Sequence, residues 1–399
     1  MTVPGAITKA QPAGAVAELS SRIRRRYFRN PLDTVMSATC LVLLCLAVLK
    51  LVRWGISDSV WDARNSAECM QRGSGACWAV IHARFRVIVF GVYPYAEQWR
   101  PAVASVVLIA ACLASSLPFF WNVRWLAVLW GLSLIGFLTL MQGGVLGLAL
   151  VGEQYWGGLA LTVFVFAAMM ILGMPIAVLL ALARHYGPRW MRLAAGTCID
   201  LVRAVPLITI LFTAWLFFSL LFPEWLTGGK LFRAVLGFSL FFACYEAEVL
   251  RGGVQAIGRG QEEAAAALGL RFWQRQRAVI LPQVWRLCLP QTMNLVVGAF
   301  KDTSYISILG FFDLVATATA AIGSGEWAAA YVEVYVVVAA LYFVFTYSLS
   351  RYGLYLERRV GVAQRGSLKV RPDKFCPADL GPQSRPHTKV RYRRSAAGG

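Results

Sequence analysis

The sequence predicts an all-α integral membrane protein with about eight transmembrane helices, each of roughly 20 residues. Three observations carry that expectation. The 399 residues are 58% hydrophobic and only 15% charged, whereas an ordinary soluble domain holds about 25% charged residues. So little polar surface cannot cover so much apolar side chain in water. The apolar residues also gather into blocks of bilayer-spanning length, and these blocks do not show the short alternation of a membrane β-barrel.

The elements follow in chain order. Residues 1–33 form a basic arm with Arg22, Arg24, Arg25, Arg26 and Arg29 at its end. The apolar run at 34–52 is too long for a signal-peptide core, and no small-residue cleavage site follows it. It is read as the first span, with Lys50 snorkelling to the interface. A polar stretch at 53–101 comes next, then apolar blocks at 102–120, 125–141, 158–183, 200–222, 232–250, 285–310 and 331–350. Polar residues interrupt the fifth and seventh spans. Gly143, Gly144 and Gly147 read as close packing or a turn. From residue 361 the chain is basic, contains proline and lacks apolar runs, the composition of a disordered tail.

Lysine and arginine in the short loops set the topology. The basic arm starts inside. The loops with Arg124, with Arg184, Arg189 and Arg192, and with Arg251, Arg259, Arg271, Arg275, Arg277 and Arg286 then fall inside as well. Arg351, Arg358 and Arg359 put the C-terminus on the same side, and the segment 311–330 has no lysine or arginine, as suits an outer loop. The stretch 53–101 carries six arginines. It is read as a long outer loop, because long loops are exported largely regardless of charge.

The formal net charge of +19 would suggest nucleic acid in a soluble protein. Here the basic residues border apolar runs, where they set topology and face anionic lipid, and no nucleic-acid reading motif appears. The nine cysteines show no metal-type spacing, and His82, His185 and His387 form no cluster. Cys40, Cys45, Cys112, Cys198, Cys244 and Cys288 lie in or beside apolar runs and read as small packing residues. Cys69 and Cys77 both fall in the polar stretch. They pair if that stretch faces an oxidising compartment, and otherwise stand as two free thiols.

The segment between the sixth and seventh spans is the most informative. Gly258 and Gly260 break the chain ahead of it, and Glu262 and Glu263 then occupy a helix first turn, where the macrodipole favours anions. Ala264, Ala265, Ala266 and Ala267 are strong helix formers of minimal bulk. Gly269 suits a left-handed cap, and Pro282 marks a further boundary. The spacing predicts a short, stiff, small-faced helix held between two spans, fit to lie in a groove on another protein.

Glu263-Ala264-Ala265, Gly269 and Leu281-Pro282 resemble the EAA loop of ABC importer permeases, E-A-A-x3-G-x9-I-x-L-P, with Val279 in place of the usual isoleucine. Glu248-Val-Leu-Arg251-Gly-Gly before the loop, Lys301-Asp302-Thr303-Ser304 after it, and Arg203-Ala-Val-Pro206 on the fifth span look like the polar amino acid permease family. The resemblance covers residues 155–360. A long first outer loop and three leading spans, at 34–141, look like the general L-amino-acid permease branch. The resemblance implies a five-helix type I importer core preceded by three extra spans, with the coupling loop at 251–284. It implies a multi-pass subunit of the bacterial inner membrane, both termini cytoplasmic, that moves L-amino acids from periplasm to cytoplasm by alternating access.

The partners so implied are an ATP-binding cassette ATPase docked through Glu263, Ala264, Ala265, Gly269, Leu281 and Pro282, a second similar permease chain, and a periplasmic amino-acid-binding protein. ATP and magnesium would belong to the ATPase. This chain has no G-x4-G-K-[ST] phosphate loop, since Gly228-Gly229-Lys230-Leu231 lacks its pattern, and it is expected to be neither an enzyme nor a cofactor carrier. The competing readings are an ABC permease for another polar solute, a membrane scaffold for an ATPase, and a multi-span enzyme, the last disfavoured by the lack of clustered catalytic residues.

Ionisable groups within spans default to functional candidates. Lys301 and Asp302 fall inside an apolar run and point about 100° apart on a helix, so they do not face each other. A zwitterion supplies both missing charges, with Thr303 and Ser304 adding hydrogen bonds. An ion pair with another helix or with the partner chain is the alternative. Glu246 and Glu248 lie near the inner end of the sixth span, where Glu248 and Arg251 can pair three residues apart. Arg203 is read as a gate, a carboxylate ligand or an interfacial anchor.

Overall fold

The computed structural model describes residues 30–367, apart from 146, 222, 224–227 and 324. Most of the basic arm and most of the tail therefore lie outside the described residues. Helix α1 (Pro31–Val52) starts with Pro31 at a position where the missing N–H costs nothing. No side chain of α1 is buried, so its surface is suited to lipid on all sides. A π-helical turn (Arg53–Ser57) ends it.

The polar stretch that follows is a folded cap with two helices, α2 (Ser66–Arg72) and α3 (Ala79–Phe90). Asn65 caps α2, its Oδ1 accepting the Glu68 N–H at 2.8 Å. A disulfide joins Cys69 and Cys77, whose Cα atoms stand 5.8 Å apart. Backbone bonds from Ala76 to Trp54 and from Gly75 to Asp58 tie this loop to the end of α1. A Cβ at Gly75 would come within 2.4 Å of the Asp58 carbonyl oxygen, so no larger residue fits there. On its other side the cap holds the start of the last helix. Ser66 Oγ donates to the Glu326 carbonyl, and the Cys77 N–H donates to the buried Glu333 carboxylate at 2.8 Å.

Helices α4 (Trp99–Ser115) and α5 (Val123–Gln142) form an antiparallel pair. Gly143, Gly144 and Gly147 all take positive φ in the turn that follows. Arg100 is fully buried and donates to the carbonyls of Leu140 at 2.6 Å and Ala149 at 2.8 Å. The open carbonyls at the end of α5 are thus met by a cation, as the helix dipole favours.

The core is built on α6 (Gly158–Tyr186) and α9 (Lys230–Ala256), which share the most extensive helix interface. Leu161, Val165 and Met169 of α6 and Ala234, Phe238 and Phe242 of α9 are buried in one cluster. The two helices approach closely at Gly173, where a Cβ would meet the Phe242 ring at 2.8 Å. Phe137 of α5 stacks on Phe164 of α6 at 4.7 Å and fastens the leading helices to the core.

The fifth apolar block is not one straight span. Helix α7 (Arg189–Ala204) and α8 (Leu207–Leu221) meet at Val205 and Pro206, and the axes bend by 114° there. Proline disfavours the helical conformation of the preceding residue, and Val205 is extended at φ −110°. Arg189 and Arg192 belong to α7 rather than to a loop.

The chain continues through α10 (Arg259–Ala267), α11 (Phe272–Arg275), α12 (Leu281–Asp302), α13 (Leu314–Ile322) and α14 (Tyr331–Ser367). Pro282 lies at a boundary between elements, in the first turn of α12. A π-helical turn (Gln276–Ile280) joins α11 to α12, with Pro282 near the first residue of α12. The wider turn suits a proline that lacks the N–H of a regular helix.

Among the described residues, five helices are long and apolar enough to cross a membrane, or six if the bent pair counts as one. Helices α9 and α12 are outside that count. Lys230, Arg233, Glu246, Glu248 and Arg251 dilute the first, and Gln283, Arg286, Gln291 and Asn294 the second. Of the single cysteines, Cys244 and Cys288 are buried, whereas Cys40, Cys45 and Cys112 are exposed rather than packed.

Candidate functional site

The connection from α9 to α12 is built from small residues. Ile257 is extended, Gly258 starts α10, and Gly260 lies within the helix rather than ahead of it. Of the alanines only Ala265 is buried, while Glu263, Ala264, Ala266 and Ala267 are exposed. Gly269 closes the turn with φ +76° and donates its N–H to the Ala266 carbonyl at 2.9 Å. A Cβ at Gly269 would meet nothing within 4 Å, so the left-handed backbone is what calls for glycine there. Beside this small face stand two large apolar side chains in the open, Leu268 at 80% exposure and Trp273 at 64%. Leu281 is half-buried and Pro282 exposed.

This connection is mechanically joined to the bundle. A cleft of about 460 Å³ lies between His185 and Tyr186 at the end of α6, Val254 at the end of α9, and Glu262 and Ala266 of α10. The Tyr186 ring meets Phe272 of α11 edge-on at 5.5 Å. The ring contact with the end of α6 is thus made by α11, while α10 follows the end of α9 in the chain and faces it across the cleft.

A charged cluster pins the same helix ends. Glu248 of α9 accepts from Arg251 Nε at 3.0 Å and from Arg184 Nη1 of α6 at 3.2 Å. Arg184 also grips both oxygens of Asp200 on α7, at 2.9 and 3.1 Å. Three helices thus meet on two arginines and two carboxylates, the bidentate geometry that gives guanidinium pairs their strength. Arg203 stands outside this cluster, 5.4 Å from the Tyr245 ring. Glu246 is fully buried, and Thr292 of α12 donates to it at 2.6 Å.

Lys301 and Asp302 sit at the other end of α12, about 30 Å from Leu281 at 1.5 Å per residue. There the α-helix gives way to a 3-10 helix (Thr303–Leu309), and Gly310 turns the chain at φ +84°. Thr303 is buried and donates to the Phe300 carbonyl, and Ser304 donates to the Lys301 carbonyl. Both hydroxyls are engaged with backbone rather than aimed away from it. Lys301 is exposed and Asp302 half-buried. Neither has an opposite charge within 4.0 Å among the described residues, so the two do not neutralise each other. Phe300 anchors this end against Phe166, Tyr342 and Phe345, with ring centroids 5.2 to 5.5 Å apart.

Residues 173–362 match the family model of the binding-protein-dependent transport system inner membrane component. The inner membrane amino-acid ABC transporter permease protein YhdY of Escherichia coli K12 is 35% identical over 84% of this chain and 92% of its own length. The glutamate/glutamine/aspartate/asparagine transport system permease protein BztC of Rhodobacter capsulatus is 31% identical over 85% of this chain and 93% of its own. The chain belongs to the polar amino acid ABC transporter permeases. The permease core occupies its C-terminal half, and the similarity to YhdY and BztC extends through the leading helices as well. The glutamate/aspartate import permease GltK of Escherichia coli O6:H1 is 31% identical over 51% of this chain and 91% of its own length.

The permease is the subunit of an amino-acid ABC importer that lies in the inner membrane and is not itself the catalyst. Several further polar groups, buried or half-buried, also shape it. Asp313 caps α13 through the N–H groups of Val315 and Ala316 at 3.2 and 2.9 Å. Glu153 Oε1 accepts the Lys230 N–H that begins α9. Asp313 directly before an apolar run carried a readable capping signal. Arg100, Glu153 and Glu333 bond to chain segments remote in sequence, and no local pattern announces that.

Proposed function

We propose that the permease carries L-amino acids across the inner membrane by alternating access, driven by an ATPase that grips α10. The observation that carries this reading is the junction of α10 and α11 with the ends of α6 and α9. A small-faced helix flanked by Leu268 and Trp273 offers a docking surface, and its motion is delivered to the central pair. The Glu248 cluster makes α6, α7 and α9 move as one body at that end. ATP and magnesium are held by the ATPase. A periplasmic binding protein delivers the substrate to the opposite end, and a second, similar permease chain completes the pore.

In this reading residues 34–141 form a three-span extension and 155–360 the five-helix core, with both termini on the side of the coupling loop. Lys301 and Asp302 receive the carboxylate and ammonium of the substrate where α12 breaks. Their support is the absence of any opposing charge within 4.0 Å among the described residues. Glu248 and Arg203 govern the inner mouth of the path. BztC and GltK carry the names of acidic and amide amino acids, which puts glutamate, aspartate, glutamine and asparagine first in any substrate panel.

Radiolabelled uptake by the reconstituted complex, measured against such a panel, tests the proposal. Lys301→Ala removes a charge-assisted bond worth about 1.5–3 kcal/mol, so uptake should fall by about tenfold or more with the complex still assembled. Unchanged uptake kinetics would remove Lys301 from the path.

A further inference from the structure

A groove of about 540 Å³ runs between α5, α6 and α9 at the end of the bundle opposite α10. Its walls are apolar: Leu134 and Leu138 of α5, Ala168 and Leu172 of α6, and Val235 of α9. Its rim carries Glu153, and no lysine or arginine lines it. The groove is open along one side, where Leu138 is 40% and Leu172 37% exposed. Along α6 it extends from Phe164 to Leu172, about 12 Å at 1.5 Å per residue. One leaflet of a bilayer core is about 15 Å deep, so the groove covers most of the depth of one leaflet.

We propose that this groove holds one phospholipid with an ammonium headgroup, its acyl chain between α5 and α6 and its headgroup on Glu153. The carboxylate is fixed in place, because Oε1 accepts the Lys230 N–H at 3.0 Å. Glu153 lines the groove, and among the described residues its carboxylate accepts only the Lys230 N–H. A primary ammonium supplies further donors to such a carboxylate. An anionic headgroup would meet the carboxylate with no cation in the groove to offset it. The charge of the rim therefore selects phosphatidylethanolamine over phosphatidylglycerol. The seat lies where the leading helices meet the core, beside the Phe137–Phe164 stack, so the lipid acts as a filler between the two parts.

Native mass spectrometry of the purified transporter complex, after exchange into equal amounts of palmitoyl-oleoyl phosphatidylethanolamine and phosphatidylglycerol, tests this. The expected result is one phosphatidylethanolamine retained per permease chain. Glu153→Gln keeps an oxygen for the Lys230 N–H but loses the charge, and retention should fall about tenfold at an unchanged thermal midpoint. Leu172→Trp should fill the groove and abolish retention. Equal retention of both lipids, or retention indifferent to Glu153→Gln, would overturn the proposal. So would a photo-crosslink from Leu138 to the second permease chain, which would show protein in the seat. Lipid retention is independent of transport, so its outcome is separable from that of uptake.

Discussion

Glu68 shows how one side chain fastens the cap. Its carboxylate accepts the Arg64 N–H at 2.7 Å and pairs with Arg72 one turn on. The Arg64 N–H first, and Arg72 after it, hold the carboxyl below its ordinary value. A carboxyl lowered in the folded state contributes stability that is full above its unfolded value and is lost as pH falls through its folded value. Hydrogen exchange across residues 66–72, corrected for intrinsic rates, should therefore show α2 opening as pH drops below the ordinary carboxylate range. Glu68→Gln should remove that dependence. Equal protection of α2 in both proteins at every pH would contradict it. Lys301 poses the opposite case: an exposed cation on a helix end, with no carboxylate within 4.0 Å among the described residues.

At the scale of the element, α10 was readable from its alanines and from Gly269, because helix propensity and a left-handed cap are local properties. The pairing of Glu248 with Arg251 was readable too, since three residues bring them to one face. The addition of Arg184 and Asp200 was not, because it depends on how α6 and α7 pack against α9. The fifth block is legible as a span interrupted by polar residues, but the 114° bend at Pro206 depends on how α7 and α8 pack. The fold of the cap is not legible in its own sequence, because it rests on contacts with Glu326 and Glu333, roughly 260 residues away. The exposed alanines carry a direct prediction. Ala264→Arg places a long charged side chain on the small outward face, so the reconstituted complex should keep basal ATP hydrolysis while uptake per ATP falls by about tenfold or more. Undiminished uptake would contradict the docking role of that face.

The whole molecule is a bundle with three buried clusters stacked along it. One lies under the disulfide-bearing cap, one at mid-bundle, and one beside the coupling loop. Helices α6, α9 and α12 run between the charged break at Lys301 and the loop, so those two ends of the bundle are joined by packed helix. Such elements transmit rigid motion well, because close-packed interiors are stiff. The membrane class was legible from composition alone. The span count was not, because α9 and α12 carry charged and polar residues that only the bundle interior and its ends accommodate.

The central claim is that α10 is gripped by the ATPase. Replacing Leu268 with the photo-reactive residue p-benzoylphenylalanine in the assembled transporter measures that contact directly. The account predicts a light-dependent adduct with the ATPase subunit that changes in yield when ATP is bound. Adducts with lipid or with the binding protein, and none with the ATPase, would contradict it.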